Sequence, residues 1–145
     1  MAVRKADATW NGNLGEGSGT MNMASGAWSG PFSVGSRFGE DAGTNPEELI
    51  AAAHAGCFSM ALTAGLTRAG IEPTSVSTSA RVHINSAPGG GFAIDKIELD
   101  CEAVVPGIDD AQFQEMADAT KTGCPVSAAL ASVPEITLNA RLVAA

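Results

Sequence analysis

Two of the three cysteines stand where thiol chemistry is possible. Cys124 lies directly before Pro125 in Gly123-Cys124-Pro125-Val126-Ser127. Proline presets the first helical position, so Cys124 falls at the cap of a helix whose free N–H groups and dipole favour the nucleophilic thiolate. Cys57 lies within a stretch that has no helix breaker and gains nothing from its own backbone. If it is reactive it needs a cation nearby, and Arg37 is the candidate. A guanidinium keeps its charge at any physiological pH and can both stabilise a thiolate and hold the polar end of a peroxide or carboxylate. Glu47, midway in sequence between Arg37 and Cys57, could fix that guanidinium through a two-pronged ion pair.

Plainer readings stand beside these. A buried helical cysteine is ordinarily a small apolar side chain. Cys101, alternating with Ile97, Leu99 and Ala103, fits that reading. His54, one turn before Cys57, is either a helix-packing residue or the base of a Cys/His hydrolase. His83 falls on a polar strand face and is expected to be solvated. Three cysteines and two histidines without close pairing match no zinc pattern, so no metal is expected. The glycine-rich segment 12–19 lacks the lysine of a P-loop and precedes no helix; it reads as a hairpin loop.

The element that must carry Cys57 has a strong start. Asn45 can accept from the first-turn N–H groups, Pro46 fits the first helical position, and Glu48 completes a capping box. Gly70 with Pro73 beyond it forms the stop, which predicts a helix over 46–69. Leu49, Ile50, Ala53, Cys57, Met60, Ala61 and Ala64 share one side, and the other is hardly more polar. A helix apolar nearly all round is a buried one, and its small residues admit a close neighbouring backbone. It is expected to be the central helix. Along it Glu47 and Cys57 lie roughly 15 Å apart. For both to serve one site, either Arg37 bridges them on a returning loop or Glu47 comes from an antiparallel second subunit. The dimer, with two sites at its interface, is the preferred arrangement.

Around this helix the periodicity predicts strands at 4–12, 20–24 and Phe32-Ser33-Val34, then a long hairpin of Thr74–Asn85 and Phe92–Val104. Asp109-Asp110 opens an amphipathic helix to about Lys121. A short helix follows to about Ala131, and Glu135–Val143 makes a last strand. The order βββ-α-ββ-αα-β, with antiparallel strands around a buried helix, defines an α+β fold over a single domain, 1–145.

Composition narrows the function. The chain of 145 residues carries sixteen acidic against eight basic side chains, a net charge of −8. That balance argues against nucleic acid or an anionic membrane surface as partner and favours small molecules or proteins. No apolar run follows the charges of the N-terminal segment, so no signal peptide is expected. No run of eighteen apolar residues escapes polar interruption, so no transmembrane span is expected either. A cytoplasmic location follows as the expectation, in which the cysteines stay reduced unless they do redox chemistry.

Arg37-Phe38, the run Gly43-Thr44-Asn45-Pro46-Glu47-Glu48 through Cys57 to Leu62, and Gly123-Cys124-Pro125-Val126-Ser127 together resemble the OsmC family of osmotically inducible thiol peroxidases. The resemblance extends over essentially the whole chain, including Val105-Pro106-Gly107-Ile108-Asp109 and Glu135-Ile136-Thr137-Leu138. The arginine just upstream of Thr-Asn-Pro-Glu-Glu is similar to the OsmC branch rather than the organic hydroperoxide resistance branch. The resemblance implies an intertwined homodimer, two central helices wrapped by sheets from both chains, and reduction of organic hydroperoxides in preference to hydrogen peroxide without metal or haem. By position it implies that Cys57 is the peroxidatic thiol and Cys124 the resolving thiol, joined in a disulfide during turnover. Arg37 with Glu47, the residue directly after the proline, would activate Cys57 and orient the peroxide. Phe38, Leu49, Ile50 and Met60 would form an apolar lining. A dithiol or a lipoylated protein would be the reductant. Cys101 matches no family role. The readings from outside that family are a non-catalytic dimer binding a small apolar ligand and the Cys/His hydrolase.

Overall fold

The computed structural model describes residues 1 to 144. The chain divides into two compact units, Met1–Leu49 and Ile50–Ala145.

In the first unit β1 (Ala6–Asn11), β2 (Ser18–Met23) and β3 (Ser29–Phe32) form an antiparallel sheet in the order β1-β2-β3. Trp10 and Phe32 pack ring against ring at 5.4 Å across β2. Gly19 lies between them on β2, where a Cβ would fall 2.3 Å from the Phe32 ring, so only glycine fits there. The third strand ends at Phe32, and a short helix, α1 (Val34–Phe38), replaces the expected strand through Ser33 and Val34. The reason is a capping box: Ser33 and Ser36 each accept a hydrogen bond from the other's backbone N–H. Those two bonds satisfy the first turn and outweigh the strand preference of Val34.

The long helix α2 (Pro46–Arg68) begins and ends where the sequence predicts, with Gly70 closing it at a φ of +77°. Its capping box closes on one side only. Asn45 accepts from the Glu48 N–H at 2.8 Å, while the Glu48 carboxylate takes the Thr44 hydroxyl. By length and mean hydropathy, 1.6 over its most apolar window, α2 is the one helix among the described residues long and apolar enough to cross a membrane. Counting uninterrupted apolar runs therefore understates it. The same composition suits a helix packed on a sheet, and the bulky residues of α2 are packed that way.

In the second unit β4 (Ser75–Ser86) and β5 (Phe92–Val104) form the expected antiparallel hairpin, with an irregularity between His83 and Ile84. Ile97, Leu99, Cys101 and Ala103 of β5 all point inward and are buried, as their alternation requires. Phe58, Leu62 and Leu66 of α2 and Phe113 of α3 (Asp110–Gly123) share one buried cluster with Leu99, Cys101, Ala103 and Val105. Each such large side chain contributes about 1.5–3 kcal/mol by leaving water. The short α4 (Pro125–Ala129) follows, and β6 (Glu135–Leu142) pairs parallel to β5 rather than antiparallel. Alternation gives a strand's faces but not its direction. The crossover through α3 and α4 brings the chain back to the start of β5 and sets the parallel sense.

Two packing expectations change. The buried side of α2 in this unit is His54, Phe58, Leu62 and Leu66, every fourth residue, while Ala53, Met60 and Ala64 are exposed. When all faces are apolar, side-chain volume decides which one packs, and the phenylalanine and leucines win over the alanines. His83 is not simply solvated: its Nε2 meets Glu98 at 2.7 Å on the sheet's outer face. That contact and Arg81, with a lesser contribution from Lys96, draw the Glu98 carboxyl down to about 2 against the opposing effect of desolvation.

Candidate thiol site

The first unit builds a fixed guanidinium. Ser36 donates its hydroxyl to the Thr44 carbonyl at 2.8 Å, and the Asn45 amide donates to the Ser36 carbonyl at 3.0 Å, tying α1 to the start of α2. Arg37, the next residue, then faces Glu47. Its Nε donates to Oε2 at 3.0 Å and its Nη2 to Oε1 at 2.7 Å, the two-pronged geometry of a matched fork. Glu47 is buried, so the arginine is the partner that makes its burial tolerable. The hydrogen bond to Glu47 raises the Arg37 pKa, with burial opposing and the carboxylate charge adding to it. The Phe38 ring lies 5.2 Å from the guanidinium carbon, within cation–π range. Among the described residues only one edge of the fork is used, and Nη1 can meet a further acceptor.

The second unit builds a thiol pair. Cys57, on the middle of α2, and Cys124, between α3 and α4, bring their sulfurs to 2.8 Å as free thiols. That is about 0.8 Å beyond a disulfide bond length. Their environments differ. Burial, then the hydrogen bond with Cys124, pushes the Cys57 thiol up, with the Val126 N–H acting against them. For Cys124 burial also opposes ionisation, but hydrogen bonds from Cys57, from the Ser127 N–H and hydroxyl, and from the Val126 N–H outweigh it, and its pKa falls. Cys124 is the N-cap of α4 with Pro125 at the first helical position, as its sequence predicts. With only five residues in α4 the dipole adds little, and the neighbouring Cys57 thiol is the largest of the influences that lower it.

His54 does not pair with Cys57. It is fully buried and its Nε2 lies 2.8 Å from the Ser127 hydroxyl. Burial lowers its pKa, so the ring is neutral. Cys101 is buried on β5, where desolvation raises its pKa, as a core residue should behave. Met60 is 76% exposed and Phe38 46%, while Leu49 and Ile50 are half-buried; none of the four is an enclosed lining residue in this chain. Ser127 is a site residue that the sequence reading missed: its hydroxyl lies 2.8 Å from the buried His54 Nε2, a pairing across 73 positions that no local spacing announces. Among the described residues no group of three or more His, Cys, Asp and Glu side chains could hold a metal ion.

An α+β fold carrying two adjacent free thiols from distant parts of the chain defines a dithiol protein. The family model described as "OsmC-like protein" matches residues 39–139, and the chain belongs to that family. It is 46% identical over 140 residues to the peroxiredoxin OsmC of Escherichia coli (strain K12), covering 96% of each chain. It is 35% identical over 98 residues to an organic hydroperoxide resistance protein of Xanthomonas axonopodis pv. citri, covering 67% of this chain and 66% of that one. The crystal structure of an OsmC-like protein from Mycoplasma pneumoniae shares the fold, with a TM-score of 0.76, 18% identity and coverage of 98% of each chain.

Proposed function

We propose that this protein is a thiol peroxidase that protects against oxidative stress by reducing organic hydroperoxides, and hydrogen peroxide less well. The observation that carries this reading is the 2.8 Å approach of the Cys57 and Cys124 sulfurs. The relatives named peroxiredoxin OsmC and organic hydroperoxide resistance protein support the same chemistry.

In the proposed cycle the Cys57 thiolate attacks the terminal peroxide oxygen and the O–O bond breaks. The alkoxide leaves and takes a proton to become the alcohol, and Cys57 is left as a sulfenic acid. Cys124 attacks that sulfur, the S–S bond forms, and hydroxide departs as water after taking the Cys124 proton. An external dithiol or a lipoylated protein then reduces the disulfide by exchange and is itself oxidised to a disulfide. No metal or haem takes part.

Burial and Cys124 hold the Cys57 pKa up, so attack by Cys57 requires a cation at its sulfur. In the proposed homodimer the second subunit supplies it as Arg37 held by Glu47. The face of α2 that carries Ala52, Ala53, Gly56, Met60 and Ala64 is exposed in the single chain, and its small residues suit a closely packed second helix. Covering it would also complete an apolar lining from Phe38, Leu49, Ile50 and Met60, which favours organic substrates. The acidic surface, −8 overall, gives no support to nucleic acid as partner. The cytoplasm, where dithiol reductants are abundant, is the proposed location.

The test is to count free thiols on the reduced protein before and after one equivalent of cumene hydroperoxide, with peptide mapping of any new disulfide. Loss of two thiols and a Cys57–Cys124 link is expected. Three unchanged thiols would overturn the reading in favour of a ligand-binding dimer. The Cys/His hydrolase is disfavoured by the contact of His54 with Ser127.

A further inference from the structure

The contact of Cys57 with Cys124 has a companion that takes no part in the thiol chemistry. His54, three residues before Cys57 on α2, places its Nε2 2.8 Å from the hydroxyl of Ser127, three residues after Cys124. On a helix such a spacing puts two side chains on one side, about 4.5 Å apart along the axis. The segment of α4 and its cap is therefore joined to α2 by two adjacent rungs, one between sulfurs and one between nitrogen and oxygen. Those rungs take the buried side chains of the segment: Cys124 and Ser127 are buried, Val126 is half-buried, and Pro125, Ala128 and Ala129 are exposed. Among the described residues none of α4 belongs to the apolar cluster that joins α2, α3 and β5. The second rung has a direction. His54 Nδ1 is buried without a partner among the described residues, and a proton there would strand a buried N–H donor, the rarest kind of unsatisfied group. A neutral imidazole protonates one nitrogen only, so Nε2 carries the proton and donates it to Ser127 Oγ.

We infer that His54 and Ser127 are positioning residues for the Cys57–Cys124 disulfide: their buried hydrogen bond clasps α4 to α2 and keeps the dithiol form within closing distance. The sulfurs have about 0.8 Å left to travel to a covalent bond. Once that bond exists it ties α4 to α2 by itself, so the clasp matters in the dithiol form, where two thiols alone make only a weak hydrogen bond. Without the clasp, a segment that has no anchor in the apolar cluster moves away from α2, and each excursion lowers the effective concentration of one thiol at the other. The coupling is reciprocal: closing the disulfide must strengthen the clasp by the factor by which the clasp favours the disulfide. Its value for turnover rests on the peroxidase reading, in which Cys124 has to reach the Cys57 sulfenic acid. The clasp itself needs no peroxide.

The experiment equilibrates the protein, in a Cys101→Ala background, with mixtures of reduced and oxidised glutathione and measures the effective concentration of the Cys57–Cys124 pair. In that exchange the two protein thiols and one glutathione disulfide give the protein disulfide and two glutathione thiols, the protein's two hydrogens passing to glutathione. Ser127→Ala removes one oxygen and is expected to lower the effective concentration about tenfold, the order of one buried hydrogen bond, which raises the reduction potential by ~30 mV. His54→Gln, whose amide N–H reaches the Nε2 position, should stay close to the wild type. His54→Asn, whose amide reaches only the Nδ1 position, should fall as far as Ser127→Ala, and Ser127→Ala carries the test if His54→Asn does not fold. Because both substitutions remove the same bond, His54→Asn/Ser127→Ala should be no worse than either alone. A bond that merely stabilised the fold would act equally on dithiol and disulfide and leave the effective concentration where it was. That result in Ser127→Ala, or additive losses in the double variant, would overturn the clasp. No peroxide enters this equilibrium, so a protein that consumes none can still show the clasp, and an active peroxidase can still lack it.

Discussion

The sulfurs of Cys57 and Cys124 face each other at 2.8 Å although 67 residues separate them in the chain. One comes from the middle of a long helix and the other from the junction of two short ones. Removing either leaves a different trapped state. Cys124→Ser should still consume one equivalent of cumene hydroperoxide and stop at a Cys57 sulfenic acid, visible by mass after dimedone trapping. Cys57→Ser should consume none. Equal loss of the first turnover in both variants would contradict the assignment of Cys57 as the attacking thiol.

Arg37 grips Glu47 with two parallel hydrogen bonds, a geometry lysine cannot reproduce. Arg37→Lys is therefore expected to lower kcat/KM for organic hydroperoxides by about a hundredfold, the loss typical of one displaced donor at a developing charge. Free-thiol content and the melting temperature should change little. A variant with near-normal kcat/KM would show that charge alone suffices.

Burial lowers the His54 pKa, and this makes stability depend on pH with a definite sign. The unfolded chain binds a proton at His54 as pH falls through about 6.5, and the folded chain binds it only at lower pH. The unfolded state thus holds more protons as pH falls through that value, and folding stability drops by up to about 1.4 kcal/mol per pH unit from this group. The contribution is absent above the unfolded pKa. Urea titrations between pH 7.5 and 5 should show the wild type losing stability faster than His54→Gln, at about these pH values.

Cys101 is buried between Leu99 and Ala103 and touches neither active thiol in the proposed chemistry. Cys101→Ala should leave peroxide turnover unchanged and simplify thiol counting. Phe113→Ala, by contrast, empties the centre of the cluster that joins α2, α3 and β5. It should cost about 3–5 kcal/mol by chemical denaturation.

Much of this was legible in residues alone. Asn45, Pro46 and Gly70 bracket α2 because capping is local chemistry, and the alternation of Ile97, Leu99, Cys101 and Ala103 gives the buried face of β5. Cys124 before Pro125 places a thiol at a helix cap for the same local reason. The pairing of Arg37 with Glu47 follows from charge and spacing. The Ser33–Ser36 capping box that makes α1 in place of the expected strand is local as well, its two hydrogen bonds spanning three residues. What tertiary structure decided were choices between locally equal options. The apolar surface of α2 offered several faces, and only packing volume selected His54, Phe58, Leu62 and Leu66. The crossover, not the pattern of β6, set its parallel direction. Bringing Cys57 to Cys124 and His54 to Ser127 needed the whole second unit, since contacts between residues so far apart in the chain are specified by how helices and sheet pack and by nothing in the spacing of the residues themselves.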